Sequence, residues 1–224
     1  RFLNNVSAVG AGGGLRASGG VTMMANCLFV KNWAQAYGGG VFFDQVGTRD
    51  VLNCTFYGNT CAEYGGGISM NMNGRIRNCI FANNTAPAYP QICDWYGYWE
   101  VSYSCVQGGW SGTGDIGGDP LFMNPAGADG ILGTLDDDFE FQPASPCIDA
   151  GNNGALPADV ADLDSDGNMT EPLPLDLADH PRRIQDADVP QTGAGTAPLV
   201  DMGAYEASSD RPLVFPNPVG VVEG

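Results

Sequence analysis

A chain of 224 residues with 43% hydrophobic residues is long enough to bury a core, and its 33 glycines and 15 prolines call for many bends. Its 26 acidic residues face 9 basic ones, a net charge of −17 with Lys31 the sole lysine, which excludes nucleic acid and anionic membrane surfaces as partners and favours divalent cations. No stretch approaches the ~20 apolar residues of a membrane span, and none reads as a secretory leader.

The first 107 residues repeat. The triplets Gly12-Gly13-Gly14, Gly38-Gly39-Gly40 and Gly65-Gly66-Gly67 start 26 and then 27 residues apart, each leading into a short apolar run. Between them recurs Asn-Cys-x-Phe-x-x-Asn: Asn26-Cys27 with Phe29 and Asn32, Asn53-Cys54 with Phe56 and Asn59, Asn78-Cys79 with Phe81 and Asn84. Phe2 and Asn5 keep the second half of the motif, so the sequence opens in mid-repeat; a piece of a longer protein, or an open end that stacks on another chain, is the expectation. Self-similarity at this period marks a repeat architecture, and strand-sized pieces without a helical stretch make it all-β.

The expected fold is a right-handed parallel β-helix, a solenoid of about 25 to 27 residues per turn. A β-sandwich of hairpins would not hold residue identity in register over successive repeats. In-register stacking predicts an amide ladder of Asn5, Asn32, Asn59 and Asn84, and internal columns of Cys27, Cys54, Cys79 and Cys105 and of the repeated Phe. Asn and Gly supply the left-handed backbone of the bends. Met24, Val51 and Ile76 should point inward and Arg75 and Arg77 outward.

Seven cysteines is an odd number. Beyond the column stand Cys61, Cys93 and Cys147, and a disulfide among them, or between Cys105 and Cys147, would suit an oxidising compartment; sequence does not choose. With no Cys-x-x-Cys and one histidine, His180, zinc is not expected. The densest aromatic cluster, Trp95, Tyr96, Tyr98 and Trp99, occupies a loop and either shields the side of the coil or offers ring faces to a glycan.

The repeat fades beyond Gly108, which divides the chain into β-helix turns over 1–122, an Asp/Pro-rich cap over 123–207 and a linker or tail over 208–224. Long irregular stretches need something besides a core to hold them, and calcium is the natural supplier. Asp162, Asp164 and Asp166, followed by Gly167 and Asn168, have the alternation of an EF-hand calcium loop, in which carboxylates converge on one hard cation. Leu173 stands where that loop has its bidentate glutamate, so Glu171, Asp176 or Asp179 must substitute. Asp129 with Asp136, Asp137 and Asp138 forms a second expected calcium cage, since adjacent carboxylates repel one another without compensation. Asp159, Asp201 and Glu206 read as turn residues or hydrogen-bond acceptors rather than ligands. One or two calcium ions are expected.

No residue reads as catalytic: His180 has no nucleophile motif near it, and Arg75 and Arg77, which could acidify a sugar acid in a lyase, are distant in sequence from the acidic clusters. The repeats, with Tyr103-Ser104-Cys105-Val106, Asp119-Pro120-Leu121-Phe122, Ser145-Pro146-Cys147-Ile148-Asp149 and Asp201-Met202-Gly203-Ala204-Tyr205-Glu206, resemble the secreted bacterial β-helix proteins of the choice-of-anchor type, which are related in fold to pectate lyases. The resemblance implies export, a surface location and a C-terminal segment that closes the coil; it implies no activity. The expectation is therefore an extracellular, calcium-stabilised structural, adhesive or glycan-contacting module. Polysaccharide or surface matrix, and a second copy at the open first turn, are its expected partners. A polysaccharide lyase or hydrolase is the alternative.

Overall fold

The computed structural model describes residues 1–45, 47–71 and 73–207; the expected tail at 208–224 lies outside them. The chain winds as a parallel solenoid. The first turn contains β1 (Phe2–Leu3), β2 (Val6–Ser7), β3 (Leu15–Ser18) and β4 (Thr22–Ala25). The second contains β5 (Leu28–Val30), β6 (Trp33–Ala34), β7 (Val41–Asp44) and β8 (Arg49–Leu52), and the third β9 (Thr55–Tyr57), β10 (Thr60–Cys61), β11 (Ile68–Met70) and β12 (Gly74–Arg77). The fourth has β13 (Ile80–Ala82), β14 (Ile92–Asp94) and β15 (Trp99–Ser102), and β16 (Cys105–Val106) begins another; β17 (Phe122–Asn124) and β18 (Asp138–Phe141) form an antiparallel pair outside the coil. Corresponding strands stack in parallel as β1-β5-β9-β13-β16, β2-β6-β10, β3-β7-β11-β14 and β4-β8-β12-β15.

Each glycine of a triplet has its own reason. Gly12, Gly38 and Gly65 adopt φ of 74, 62 and 72°, which side chains disfavour. A Cβ on Gly13, Gly39 or Gly66 would lie 2.3–2.4 Å from a carbonyl oxygen of the next turn. On Gly14, Gly40 or Gly67 it would strike the ring of Phe29, Phe56 or Phe81 at 2.9–3.1 Å. The Phe column follows, with centroids of Phe2, Phe29, Phe56 and Phe81 4.5–4.9 Å apart and rings within 5° of parallel. Met24, Val51, Ile76 and the Phe column fill the core inside the coil.

The asparagine ladder has a repeating bond set. Asn32 Oδ1 accepts from the backbone N (3.0 Å) and Nδ2 (2.8 Å) of Asn5, and Asn59 does the same for Asn32. Asn84 accepts both from Asn59 at 2.9 Å and passes its own Nδ2 to Gln91 Oε1 at 2.8 Å. Each Nδ2 from Asn32 onward also donates to a Phe carbonyl of the turn before. The sulfur column runs in the same way, Cys27 N to Cys54 Sγ and Cys54 N to Cys79 Sγ, both 3.4 Å. Cys105 does not continue it: Cys79 N meets Ser104 Oγ at 3.1 Å, and β16 pairs Cys105 with Ile80, so Cys105 faces outward. All seven cysteines are free thiols.

The C-terminal segment packs against the coil. Residues 108–118 close the last turn, Tyr103 N donating to Thr113 O and Val106 N to Ile116 O at 2.8 Å. The rest lies along the side of the coil. Outward-facing Leu28, Val30, Ile80, Ala82 and Cys105 form a second core with Phe122, Phe139, Phe141, Cys147, Ile148, Met202 and Ala204. A parallel sheet covered on both faces reads as an unbroken apolar run, as Leu28-Phe29-Val30 and Ile80-Phe81-Ala82 do. The bend asparagines fasten the cover: Asn26 Nδ2 donates to Leu175 O (2.6 Å) and Asn53 Nδ2 to Asp201 O (3.3 Å), while Asn78 exchanges bonds with the backbone of Asn152 (2.8 and 3.1 Å).

Under this cover lies a buried polar knot. Asp201 accepts from the backbone N of Asp149 and Ala207 at 2.7 Å, and Asp176 from Ala178, His180 and Glu206 at 2.7–2.9 Å. Arg182, also buried, donates to Gly203 O and stands 3.9 Å from Glu206. Burial pushes Asp201 up to about 7 and Glu206 well above the usual carboxylate range.

Two outcomes follow from this packing. Asn59→Ala removes the acceptor of the Asn32 backbone N and Nδ2 and the side-chain donor to Phe29 O, leaving Asn84 Oδ1 only the backbone N of residue 59, and should cost about 3 kcal/mol or more in denaturant unfolding; Asn5→Ala, at the exposed edge, should cost clearly less. Because the folded pKa of Asp201 is raised, its stabilising contribution is complete below an unfolded value of about 4. That contribution is lost as pH rises through about 7. In chelator, the melting temperature should therefore fall from pH 5 to pH 8; a rise would contradict this reading of the knot.

Candidate metal centre and surface sites

The segment 157–173 is a hairpin-like loop whose base brings two carboxylates together. Asp159 N bonds Glu171 O and Leu173 N bonds Pro157 O, both at 2.8 Å, across an antiparallel bridge of Ala158 with Pro172. Positive φ at Asp162 (51°), Ser165 (60°) and Gly167 (84°) folds the intervening chain back. Gly167 N donates to Asp162 Oδ1 at 3.0 Å, and Asn168 N to Asp166 Oδ1 at 2.7 Å. The result is two overlapping sets of acidic oxygens, Asp159 with Asp164 and Glu171, and Asp162 with Asp164 and Asp166, each within 4.8 Å of one another.

Asp159 is the member that sequence reasoning set aside. It is 0% exposed; Leu163 N binds its Oδ2 at 2.7 Å, while Oδ1 is buried with no partner. Glu171 Oε1 is likewise buried without a partner. Burial first, then Asp166, Asp164, Asp159 and Asp162, push the Glu171 carboxyl up. Asn168 sits apart from the expected ligand role: its Oδ1 accepts from Thr170 and its Nδ2 reaches Glu171 Oε2 at 3.3 Å, so it orients Glu171. Of the substitutes for the missing position, Glu171 is in place, whereas Asp176 belongs to the buried knot. An all-oxygen, multiply charged and partly desolvated set fits a hard cation such as calcium, which takes six to eight oxygens at about 2.3–2.6 Å.

The second acidic motif is organised differently. Asp136 accepts from the backbone N of Ala128 (2.8 Å) and Asp129 (3.0 Å) and from Thr134, and the Thr134 hydroxyl and these amides hold it below its ordinary value. Asp129 Oδ1 takes Ile131 N, Asp137 Oδ2 takes Gly133 N and Asp138 Oδ1 takes Glu140 N, at 2.7–2.9 Å. Backbone dipoles thus supply the compensation assigned to a cation, and among the described residues these four gather no cluster of converging oxygens. The turn they fix sets Leu132 against Gly58 and Gly133 against Lys31 of the coil.

The aromatic loop divides. Trp99 is 7% exposed and stacks on Phe43 at 6.1 Å, its indole filling the space that Gly74 leaves open, so it is core and not a glycan platform. Trp95, 40% exposed, donates to Ser69 Oγ at 3.2 Å and meets Tyr64 edge-on at 4.7 Å, covering the coil. Tyr96 and Tyr98 stack on each other at 6.0 Å and are 63% and 65% exposed, held out by Asp94, which caps the amides of residues 96–99. Arg75 is engaged by Asp50 through two 2.6 Å bonds.

Among the described residues no helix is long and apolar enough to cross a membrane. No curated protein and no solved structure is matched by the chain. Residues 53–71, which run from the Asn53 bend through β9, the ladder residue Asn59 and the third glycine triplet to the end of β11, are similar to the Chlamydia polymorphic membrane protein repeat.

Proposed function

We propose that this chain is a surface-located β-helix module, structural and adhesive or glycan-contacting in role, whose lateral segment is clasped by one calcium ion. The observation that carries the metal is the pair of buried, unpartnered oxygens, Asp159 Oδ1 and Glu171 Oε1, with Asp164 between the two acidic sets. A buried carboxylate oxygen without a partner is costly, and a divalent cation removes that cost while neutralising the loop. Asp159, Asp162, Asp164, Asp166 and Glu171 would hold the ion, Asn168 steadying Glu171. The ion then stiffens the arm between residues 157 and 173, next to the strand-like stretch that meets Asn26 of the coil.

The surface reading is supported by the repeat fold, by the likeness of residues 53–71, part of one turn, to a repeat of a polymorphic membrane protein, and by the exposed Tyr96 and Tyr98. Strands β1 to β4 are paired on one side only among the described residues, an edge open to a further turn or to a second copy.

Titration with calcium after chelation should show one ion per chain and a raised melting temperature, since a ligand at 100 times its Kd adds about 2.7 kcal/mol. Asp159→Asn should abolish the shift while leaving the chelated protein at least as stable, and Asp136→Asn should leave calcium binding intact. Equal calcium binding by Asp159→Asn and the parent chain would sink the assignment.

A further inference from the structure

A second site lies at the far end of the coil, where β15 meets the loop that closes the last turn. A cleft of about 460 Å³ opens there, lined by Arg77 from β12, by Tyr103 and Trp110, and by Asn152 from the lateral segment, with Ser111 and Thr113 at its rim. Tyr103 and Trp110 are half-buried, so each keeps part of its ring open. The metal loop contributes no residue to it.

Arg77 is the anomaly. In its outward column it follows Leu52 and precedes Ser102, with no acid in line. Its neighbour Arg75 stands instead between Asp50 and Glu100, and Glu100, though on the cleft wall, acts on Arg75. Arg16 has Asp44, Arg182 has Glu206, and Arg49 and Arg183 donate to backbone carbonyls. The Arg77 guanidinium has no ion pair or hydrogen bond among the described residues, and its Nε is buried. In a chain with a net charge of −17 this is an unspent, partly desolvated cation. Arginine is rarely buried unless paired.

The cleft specifies its occupant by chemistry. A guanidinium fork matches a carboxylate bidentately. Two ring faces suit the apolar C–H face of a pyranose, and the hydroxyls of Ser111 and Thr113 with the Asn152 amide suit ring hydroxyls. One cation within so acidic a chain tolerates one negative charge per sugar and disfavours polyphosphates. We propose that this cleft binds a carboxylate-bearing sugar, Arg77 taking the carboxylate and Tyr103 and Trp110 the ring.

The test uses the full chain at fixed calcium concentration, with a galacturonate trisaccharide, the neutral galactose trisaccharide and triglutamate as probes, read by calorimetry and tryptophan fluorescence. Saturable binding of the uronate alone is expected, weakened about tenfold or more by Arg77→Met. The melting temperature of that variant should equal that of the parent chain. Trp110→Ala supplies a second variant with the same expected loss, and Glu100→Gln should bind at least as well as the parent. Equal binding of the neutral sugar or of the peptide, unchanged binding by Arg77→Met, or no binding of the uronate at about 10 mM would overturn the proposal.

Discussion

Parallel in-register stacking is the constraint on which everything else depends. Once one turn lies about 4.8 Å above the next, each side chain meets its own counterpart, and residues that gain from meeting themselves are favoured in the repeated columns. Asparagine gains, because one amide both donates and accepts and so hands a hydrogen bond to the next turn. Phenylalanine gains by stacking. Charged residues lose unless the column alternates in sign, as it does from Asp50 to Arg75 to Glu100. The close approach of the turns then requires the middle glycine of each triplet.

The same logic decides what the sequence made legible. Columns that recur at a fixed interval were readable, and the Asn and Phe columns and the sulfur column as far as Cys79 stand as the period implied. Cys105 was misplaced because its thiol drew the eye to a step of 26 residues, whereas Ser104, a step of 25 from Cys79, preserves the previous interval from Cys54 to Cys79. The lateral position of residues 119–207 had a signal too: an amphipathic strand would alternate, but Leu28-Phe29-Val30 and Ile80-Phe81-Ala82 do not, and their outward members had to be covered by something.

Acidic motifs were less legible because carboxylates have more than one way to be satisfied. Asp136 and Asp137 sit in tight turns whose backbone amides point at them, so local geometry does what a cation was expected to do. Asp159 lies before the recognisable motif and enters the cluster only through the strand-like pairing of residues 157–159 with 171–173, which no local pattern announces. Trp99 is similar: its burial depends on the absence of a side chain at Gly74, one turn away. Asp159 and Trp99 were missed because each depends on a long-range contact. Together they describe a coil whose side is roofed by an acidic arm, with its compensating charge drawn from backbone amides, from Arg182 and, in the proposed function, from a metal.

The most direct measurement is a crystal structure of the calcium-soaked chain with anomalous scattering data. The account predicts one calcium peak, within about 2.3–2.6 Å of oxygens drawn from Asp159, Asp162, Asp164, Asp166 and Glu171, on an arm lying along the outer face of the β1-β5-β9-β13-β16 sheet. A peak among Asp129 and Asp136 to Asp138, or a well-ordered 159–171 loop with no peak in saturating calcium, would contradict it.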